Sequence, residues 1–274
     1  MYFDIQGIRY YADIWGNGFP FLLLHGFTGN SSTWKEFTPV WSEHSKAFAI
    51  DIIGHGKTDS PIDKAKYDIE AAADDLNEIL EKLEIEQTDI LGYSMGGRLA
   101  LTFAMKYPEK VRKLILESSS PGLDNEEERK KRRLQDEKLA EQIRMNGLET
   151  FIHYWENIPL FRSQQRLPET TRNLIRKQRM SNNEIGLINS LYGMGTGSQP
   201  SWWGSLEQLT IPTLIMTGSL DNKFCHIANE MTKSLKNSQW QTIEDCGHAI
   251  HVENPEIFGT IVSGFLNETY EYIR

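Results

Sequence analysis

Residues Ile90-Leu91-Gly92-Tyr93-Ser94-Met95-Gly96-Gly97-Arg98 decide how this chain is read. Apolar residues lead up to Gly92, and Leu99-Ala100-Leu101-Thr102-Phe103-Ala104-Met105 continue as a helix. The stretch therefore reads as a buried strand that breaks sharply into a helix, with Ser94 on the break. Gly92 and Gly96 flank it in the pattern G-x-S-x-G, a nucleophile elbow, where a serine on a strained strand-to-helix turn keeps its hydroxyl exposed. Glycine suits both flanks because a Cβ there would collide with neighbouring backbone. The Met95 N–H would point into the same space as the Ser94 hydroxyl. Serine and glycine are common in loops, so the pattern acts as a site only if the chain also supplies an oxyanion loop, an acid and a histidine.

Upstream, residues 2–15 read as two strands joined near Gly7. Phe21 to Leu24 is a continuous apolar run ending at His25-Gly26, as expected of a central strand buried on both faces. The loop from Phe27 to Trp34 leads into a helix capped by Ser31 or Ser32. An H-G loop at this place supplies a second oxyanion N–H, here that of Phe27, while His25 shapes the loop. Ala47 to Asp51 is the next strand. Asp51 and His55 resemble a catalytic pair, but a tight turn after a strand uses Asp and Gly to satisfy backbone donors, and that reading is preferred. Residues 68–83 carry a helical apolar stripe through Ile69, Ala72, Ala73, Leu76, Ile79, Leu80 and Leu83.

Downstream, Val111 to Glu117 is another strand, after which the texture changes. Residues 122–205 hold charge-rich helical segments without strand-like runs, and read as a cap inserted between core segments 1–121 and 206–274. Asp124 to Lys138 reads as an exposed helix with Glu–Arg and Glu–Lys pairs at i,i+4. The glycines between Tyr192 and Gly197 follow no central strand, which argues against a phosphate-binding loop. Strands resume at Ile211 to Gly218, ahead of Asp221, and at Gln239 to Glu244, ahead of His248, with a C-terminal helix from Pro255. Strands alternating with helices imply a mostly parallel sheet covered on both faces.

Ser94, Asp221 and His248 thus stand in the chain order of an α/β-hydrolase. Asp221 and His248 each follow a strand and so fall at the C-terminal edge of the sheet, where ligand sites of open α/β sheets gather. A serine hydroxyl becomes basic or nucleophilic near neutral pH only when a histidine accepts its proton, and Asp221 would orient that histidine. Asp221 has a second reading as a helix cap, Asp245 competes as the acid, and His251 competes with His248. Arg98 lies about 6 Å along the helix axis from Ser94, on nearly the same face, where it suits a substrate carboxylate; its structural alternative is a pair with an acid at the cap junction.

Composition narrows the partners. A formal net charge of -9 without a dominant basic face argues against nucleic acid. Cys225 and Cys246 are too few and too widely spaced for a disulfide framework or a zinc site, and read as free thiols. The start of the sequence has no basic n-region, and no apolar run is long enough to span a bilayer. A cytoplasmic protein is expected, off the membrane, as a monomer or small homo-oligomer.

Several motifs together resemble one family. Leu24-His25-Gly26-Phe27-Thr28-Gly29, the elbow Gly92 to Arg98, and Ser120-Pro121-Gly122-Leu123 followed by Glu128-Arg129 look like the 2-succinyl-6-hydroxy-2,4-cyclohexadiene-1-carboxylate synthases of menaquinone biosynthesis. The cap segments Phe151…Trp155…Pro159-Leu160-Phe161 and Gln199-Pro200 extend the likeness over nearly the full chain. The resemblance implies a lyase that needs no cofactor or metal and eliminates pyruvate from a small anionic substrate, 2-succinyl-5-enolpyruvyl-6-hydroxy-3-cyclohexene-1-carboxylate. It implies Ser94, relayed by His248, as the base, with Phe27 and Met95 N–H groups meeting charge on the substrate ketone. It also implies that Arg98, Arg132 and Arg179 hold carboxylates and that Tyr93, Trp155 and Phe161 line the pocket. Arg129 and Arg133 flank Arg132, so a small register error would exchange them. A carboxylesterase or carbon–carbon bond hydrolase using the same triad is the rival; a receptor that keeps the fold without catalysis is a third reading.

Overall fold

A computed structural model of the chain describes residues 1–268; the stretch 269–274 of the expected second core segment lies outside the described residues. Eight strands form one sheet in the order β1-β2-β4-β3-β5-β6-β7-β8. They are β1 (Tyr2–Ile5), β2 (Ile8–Trp15), β3 (Phe19–Leu24), β4 (Ser45–Asp51), β5 (Thr88–Tyr93), β6 (Val111–Glu117), β7 (Thr213–Gly218) and β8 (Ser238–Ile243). The first two pairings, β1 with β2 and β2 with β4, are antiparallel. From β4 to β8 every pairing is parallel. Helices of ten residues or more are α1 (Ile69–Lys82), α2 (Met95–Lys106), α3 (Glu126–Trp155), α4 (Glu169–Met180), α5 (Glu184–Gly193), α6 (Asn222–Ser234) and α7 (Pro255–Asn267). None is long and apolar enough to cross a membrane.

The central strands carry apolar residues on both faces because both faces are covered. Leu22, Leu24, Ile90 and Leu116 pack into one buried cluster with Ile69, Leu76 and Leu99 of α1 and α2. Phe21, Leu23, Leu91 and Ile115 pack into the other with Trp34, Trp41, Phe258 and Val262. Parallel strands buried in this way lose the in-out alternation of a half-exposed sheet.

Two local expectations shift. The turn after β3 is capped by Asn30, whose side chain accepts from the Ser32 N–H, and not by Ser31 or Ser32. Ser31 is already committed: it is buried, its N–H donates to Asp51 at 2.5 Å and its hydroxyl to Asp13 at 3.2 Å. The strand expected from Ala47 begins at Ser45, because Ser45 and Lys46 pair with Phe19 and Pro20 of β3.

Between β6 and β7 the chain is helical, and α3, α5 and the segment around Trp155 share an apolar cluster of Ala140, Ile143, Phe151, Ile152 and Leu187. Gly147, at φ 77°, interrupts α3. The charged face of α3 departs from the expected exposed ladder. Arg129 donates to the carbonyl oxygens of Gly197, Ser198 and Gln199, and Arg133 to that of Gly197. Their ion pairs run to Glu126 at i,i+3 and i,i+7, and the i,i+4 pair in this stretch is Arg132 with Asp136. A loop with unsatisfied carbonyl groups competes for guanidinium donors, so tertiary docking overrides the helix-local pattern.

His25 and His55 are buried and uncharged. The Ile52 N–H donates to His25 Nε2 at 3.0 Å, so Nδ1 carries the proton shared with the Gly26 carbonyl at 2.8 Å. Burial pushes His25 down to about 4 and His55 to about 3. Unfolding would let both charge near their ordinary pKa of about 6.5, so the unfolded chain binds more protons between those limits and stability falls as pH drops from about 6.5 towards 4. The loss is of order 3 kcal/mol per histidine, since one pKa unit is worth about 1.4 kcal/mol. Burial raises Asp51, Asp75, Asp89 and Asp136, which act with the opposite sign when they protonate. Urea midpoints between pH 7 and 4.5 should therefore fall, and His55→Gln should flatten the slope; an unchanged slope in that variant would exclude His55 as a source.

Candidate active site

Ser94 stands where β5 ends and α2 begins, with φ 50° and ψ -106°. A non-glycine residue there costs about 1–3 kcal/mol and persists only where surrounding packing enforces it. The packing is explicit: a Cβ on Gly92 would stand 2.3 Å from the Gly96 carbonyl oxygen, and one on Gly96 2.4 Å from that of Leu24. Gly97 is equally constrained, 2.6 Å from Ser119 Cβ. The Ser94 N–H is held by the Glu117 carbonyl at 2.9 Å. Gly96→Ala is expected to push β3 from α2 and cost at least about 1–3 kcal/mol, read as a lower urea midpoint together with loss of activity; a wild-type midpoint would refute the close approach.

The structure brings three distant side chains together. His248 Nε2 lies 2.9 Å from Ser94 Oγ, and His248 Nδ1 lies 2.7 Å from Asp221 Oδ2. Asp221 also fulfils its other reading, because Oδ1 accepts the Phe224 N–H at 3.3 Å and caps α6. Using one oxygen for the cap and the other for the imidazole fixes the carboxylate plane. The ring of Phe224 packs on His248 with centroids 4.6 Å apart. Neither competitor joins this chain: His251 pairs with the buried Glu117 at 2.9 Å, and the Asp245 carbonyl accepts from Arg166. Asp51 is spent on the Ser31 and Lys57 N–H groups, as expected of a turn.

A cavity of about 670 Å³ opens above Ser94 and His248 and includes Phe27, Met95, Arg98, Arg132 and Trp155 in its wall. Met95 opens α2, and Ser94 gives that helix no side-chain cap. Among the described residues neither the Met95 nor the Phe27 N–H meets an acceptor. Two free amides beside a serine hydroxyl are the donors an oxyanion requires.

The charge in the cavity wall comes from α2 and from α3 together. Arg98 donates to the Met194 carbonyl at 2.6 Å and to Gln199 Oε1 at 2.5 Å, and not to an acid. Burial, with the nearby Arg132 charge, pushes it down to about 9, so it stays charged near neutral pH. Arg132 is held by both oxygens of Asp136, at 2.9 and 3.0 Å. Arg129 and Arg133 are engaged on the 197–199 carbonyls, so the register places Arg132, and neither neighbour, in the cavity wall. The glycine-rich stretch thus has a packing role: a Cβ on Gly195 would stand 2.6 Å from Asp136 Oδ2, and one on Gly197 2.5 Å from the Arg129 carbonyl.

Arg179 is placed differently. It is buried, its guanidinium lies 4.7 Å from the Phe161 ring centroid, and it donates to Gln164 at 3.4 Å. It lines a neighbouring cavity of about 660 Å³ that shares Phe27, Tyr93 and Phe161 with the first. Trp155, in the wall of the first cavity, meets Phe27 and Phe161 at centroid distances of 5.3 and 5.9 Å. The clamps Met194, Gln199 and Asp136 escaped the sequence reading as partners of the arginines, because a backbone carbonyl and a distant amide carry no local signal.

Comparison with known proteins agrees with this arrangement. Residues 20–255 match the family model of the alpha/beta hydrolase fold. A Bacillus subtilis protein provisionally named 2-succinyl-6-hydroxy-2,4-cyclohexadiene-1-carboxylate synthase is 49% identical over 243 residues, covering 89% of this chain and 88% of that protein. The Photorhabdus laumondii protein of that name is 34% identical over 93% of this chain and 90% of its own length. The solved structure of MenH from S. aureus superposes with a TM-score of 0.88 at 36% identity, covering 94% of this chain and 97% of that one. This chain belongs to the α/β-hydrolase fold family and, within it, to the 2-succinyl-6-hydroxy-2,4-cyclohexadiene-1-carboxylate synthases.

Proposed function

We propose that the enzyme eliminates pyruvate from 2-succinyl-5-enolpyruvyl-6-hydroxy-3-cyclohexene-1-carboxylate in menaquinone biosynthesis, as a cytoplasmic lyase with Ser94 as its base. The observation that carries the reading is the meeting, in one cavity, of a Ser–His–Asp chain with two clamped arginines. Ser94 Oγ takes the ring proton α to the succinyl ketone as His248 takes the serine proton. Electron density moves to the ketone oxygen, facing the Phe27 and Met95 N–H groups, each such donor being worth about 2.7–4 kcal/mol. The resulting dienolate expels the enolpyruvyl oxygen; the leaving enolate regains a proton and becomes pyruvate. No acyl-enzyme forms.

Arg98 and Arg132 hold two of the substrate's carboxylates, and Tyr93, Trp155 and Phe161 enclose the ring. Arg179 lines the adjoining cavity, which shares Phe27, Tyr93 and Phe161 with the first, and is the further cation for a carboxylate arm that extends there. The purified protein is expected to release pyruvate from the enolpyruvyl substrate without added metal or nucleotide, and to turn over simple aryl esters poorly. Fast aryl-ester turnover with an initial burst and no pyruvate would identify a hydrolase instead.

A further inference from the structure

Lys223 is the second residue of α6, two positions beyond the triad acid that caps the helix. It borders the cavity of Ser94 together with Arg98 and Arg132. Among the described residues its ammonium makes no hydrogen bond or ion pair; its recorded contact is with the Phe224 ring, 5.4 Å from Nζ to centroid. Lys223 is an exposed residue on the cavity border, where partial desolvation and the charges of Arg132 and Arg98 hold it below the usual lysine range while Asp221 pulls the other way. Asp221 attracts it through space, but among the described residues the two form no ion pair, and the Asp221 oxygens accept from His248 and from the Phe224 N–H. Nor does it pair with the acids of the cavity wall: Asp136 is clamped to Arg132, and among the described residues no ion pair joins Lys223 to Asp124 or Glu128. Three cations bordering one cavity favour an anion in the space between them.

We propose that Lys223 is a substrate-binding residue, the third cation that takes a carboxylate within the Ser94 cavity. The proposal rests on the lyase reading, whose substrate carries three carboxylates: on the succinyl arm, the ring and the enolpyruvyl group. Arg98 and Arg132 account for two on the near side of Phe161. Lys223 offers the third a cation on the border of the Ser94 cavity itself. Because Asp221 caps α6, the backbone of Lys223 is rooted two residues from the triad acid. Lys131, the other lysine bordering the cavity, rides on the cap instead.

Steady-state pyruvate release by wild type, Lys223→Met and Lys223→Arg tests this. The methionine variant should raise KM about tenfold or more with kcat changed less than about threefold, and arginine should restore most of the loss because it keeps the charge. Thermal melting of each variant checks that the fold is intact. A KM within twofold of wild type in Lys223→Met, or a loss confined to kcat, overturns the proposal while the lyase reading stands. Failure of the wild type to release pyruvate removes that reading, and the proposal falls with it.

Discussion

Replacing Ser94 by alanine is expected to lower the rate of pyruvate release by about a thousandfold or more while leaving substrate affinity within a few fold. The hydroxyl is the group that His248 contacts at 2.9 Å, and among the described residues no other hydroxyl shares the imidazole. General-base catalysis of this kind contributes roughly 10²–10⁴, and removal of one member disables a chain that acts as a unit. The arginine clamps and the free amides remain, so binding should persist. Single-turnover pyruvate release with a parallel binding titration separates the two effects. Near wild-type turnover in the alanine variant would eliminate Ser94 as the base, and a large loss of affinity would show that the hydroxyl chiefly binds.

Arg98→Met is expected to raise KM for the enolpyruvyl substrate roughly ten- to a hundredfold, because each charge-assisted hydrogen bond lost is worth about 1.5–3 kcal/mol. Two groups are stranded besides: Gln199 Oε1 and the Met194 carbonyl each lose a donor. Aryl-ester turnover, which has no carboxylate to hold, should change little. Arg98→Lys should recover only part of the loss, since a point charge cannot reproduce the planar fork. Equal losses towards both substrates would mean that Arg98 braces the cap and does not read the substrate.

These effects differ in how visible their causes are in the chain. The elbow was readable because it is local: strand, Ser94 and helix are contiguous, and Gly92 and Gly96 are required by backbone contacts within the same turn and with β3. Asp221 and His248 were readable because each closes an apolar strand, and the topology of a parallel sheet delivers strand ends to one edge. The cap was harder. Arg132, Arg129 and Arg133 look alike in sequence, and their different partners depend on which face of α3 meets the 195–199 loop. Arg179 shows the same difficulty: its residue type suits a carboxylate, but its place in an adjoining cavity beside Phe161 and Tyr93 carries no local signal.

The sequence alone determined the sheet-and-helix alternation, the strained serine and the order of the triad, because periodicity, glycine requirements and strand ends are properties of short segments. Only the tertiary structure decided which acid faces His248, which arginine enters the cavity and that Lys223 borders it. Those outcomes depend on competition among like groups for a few carbonyl and carboxylate partners, and that competition is settled by distances across the fold.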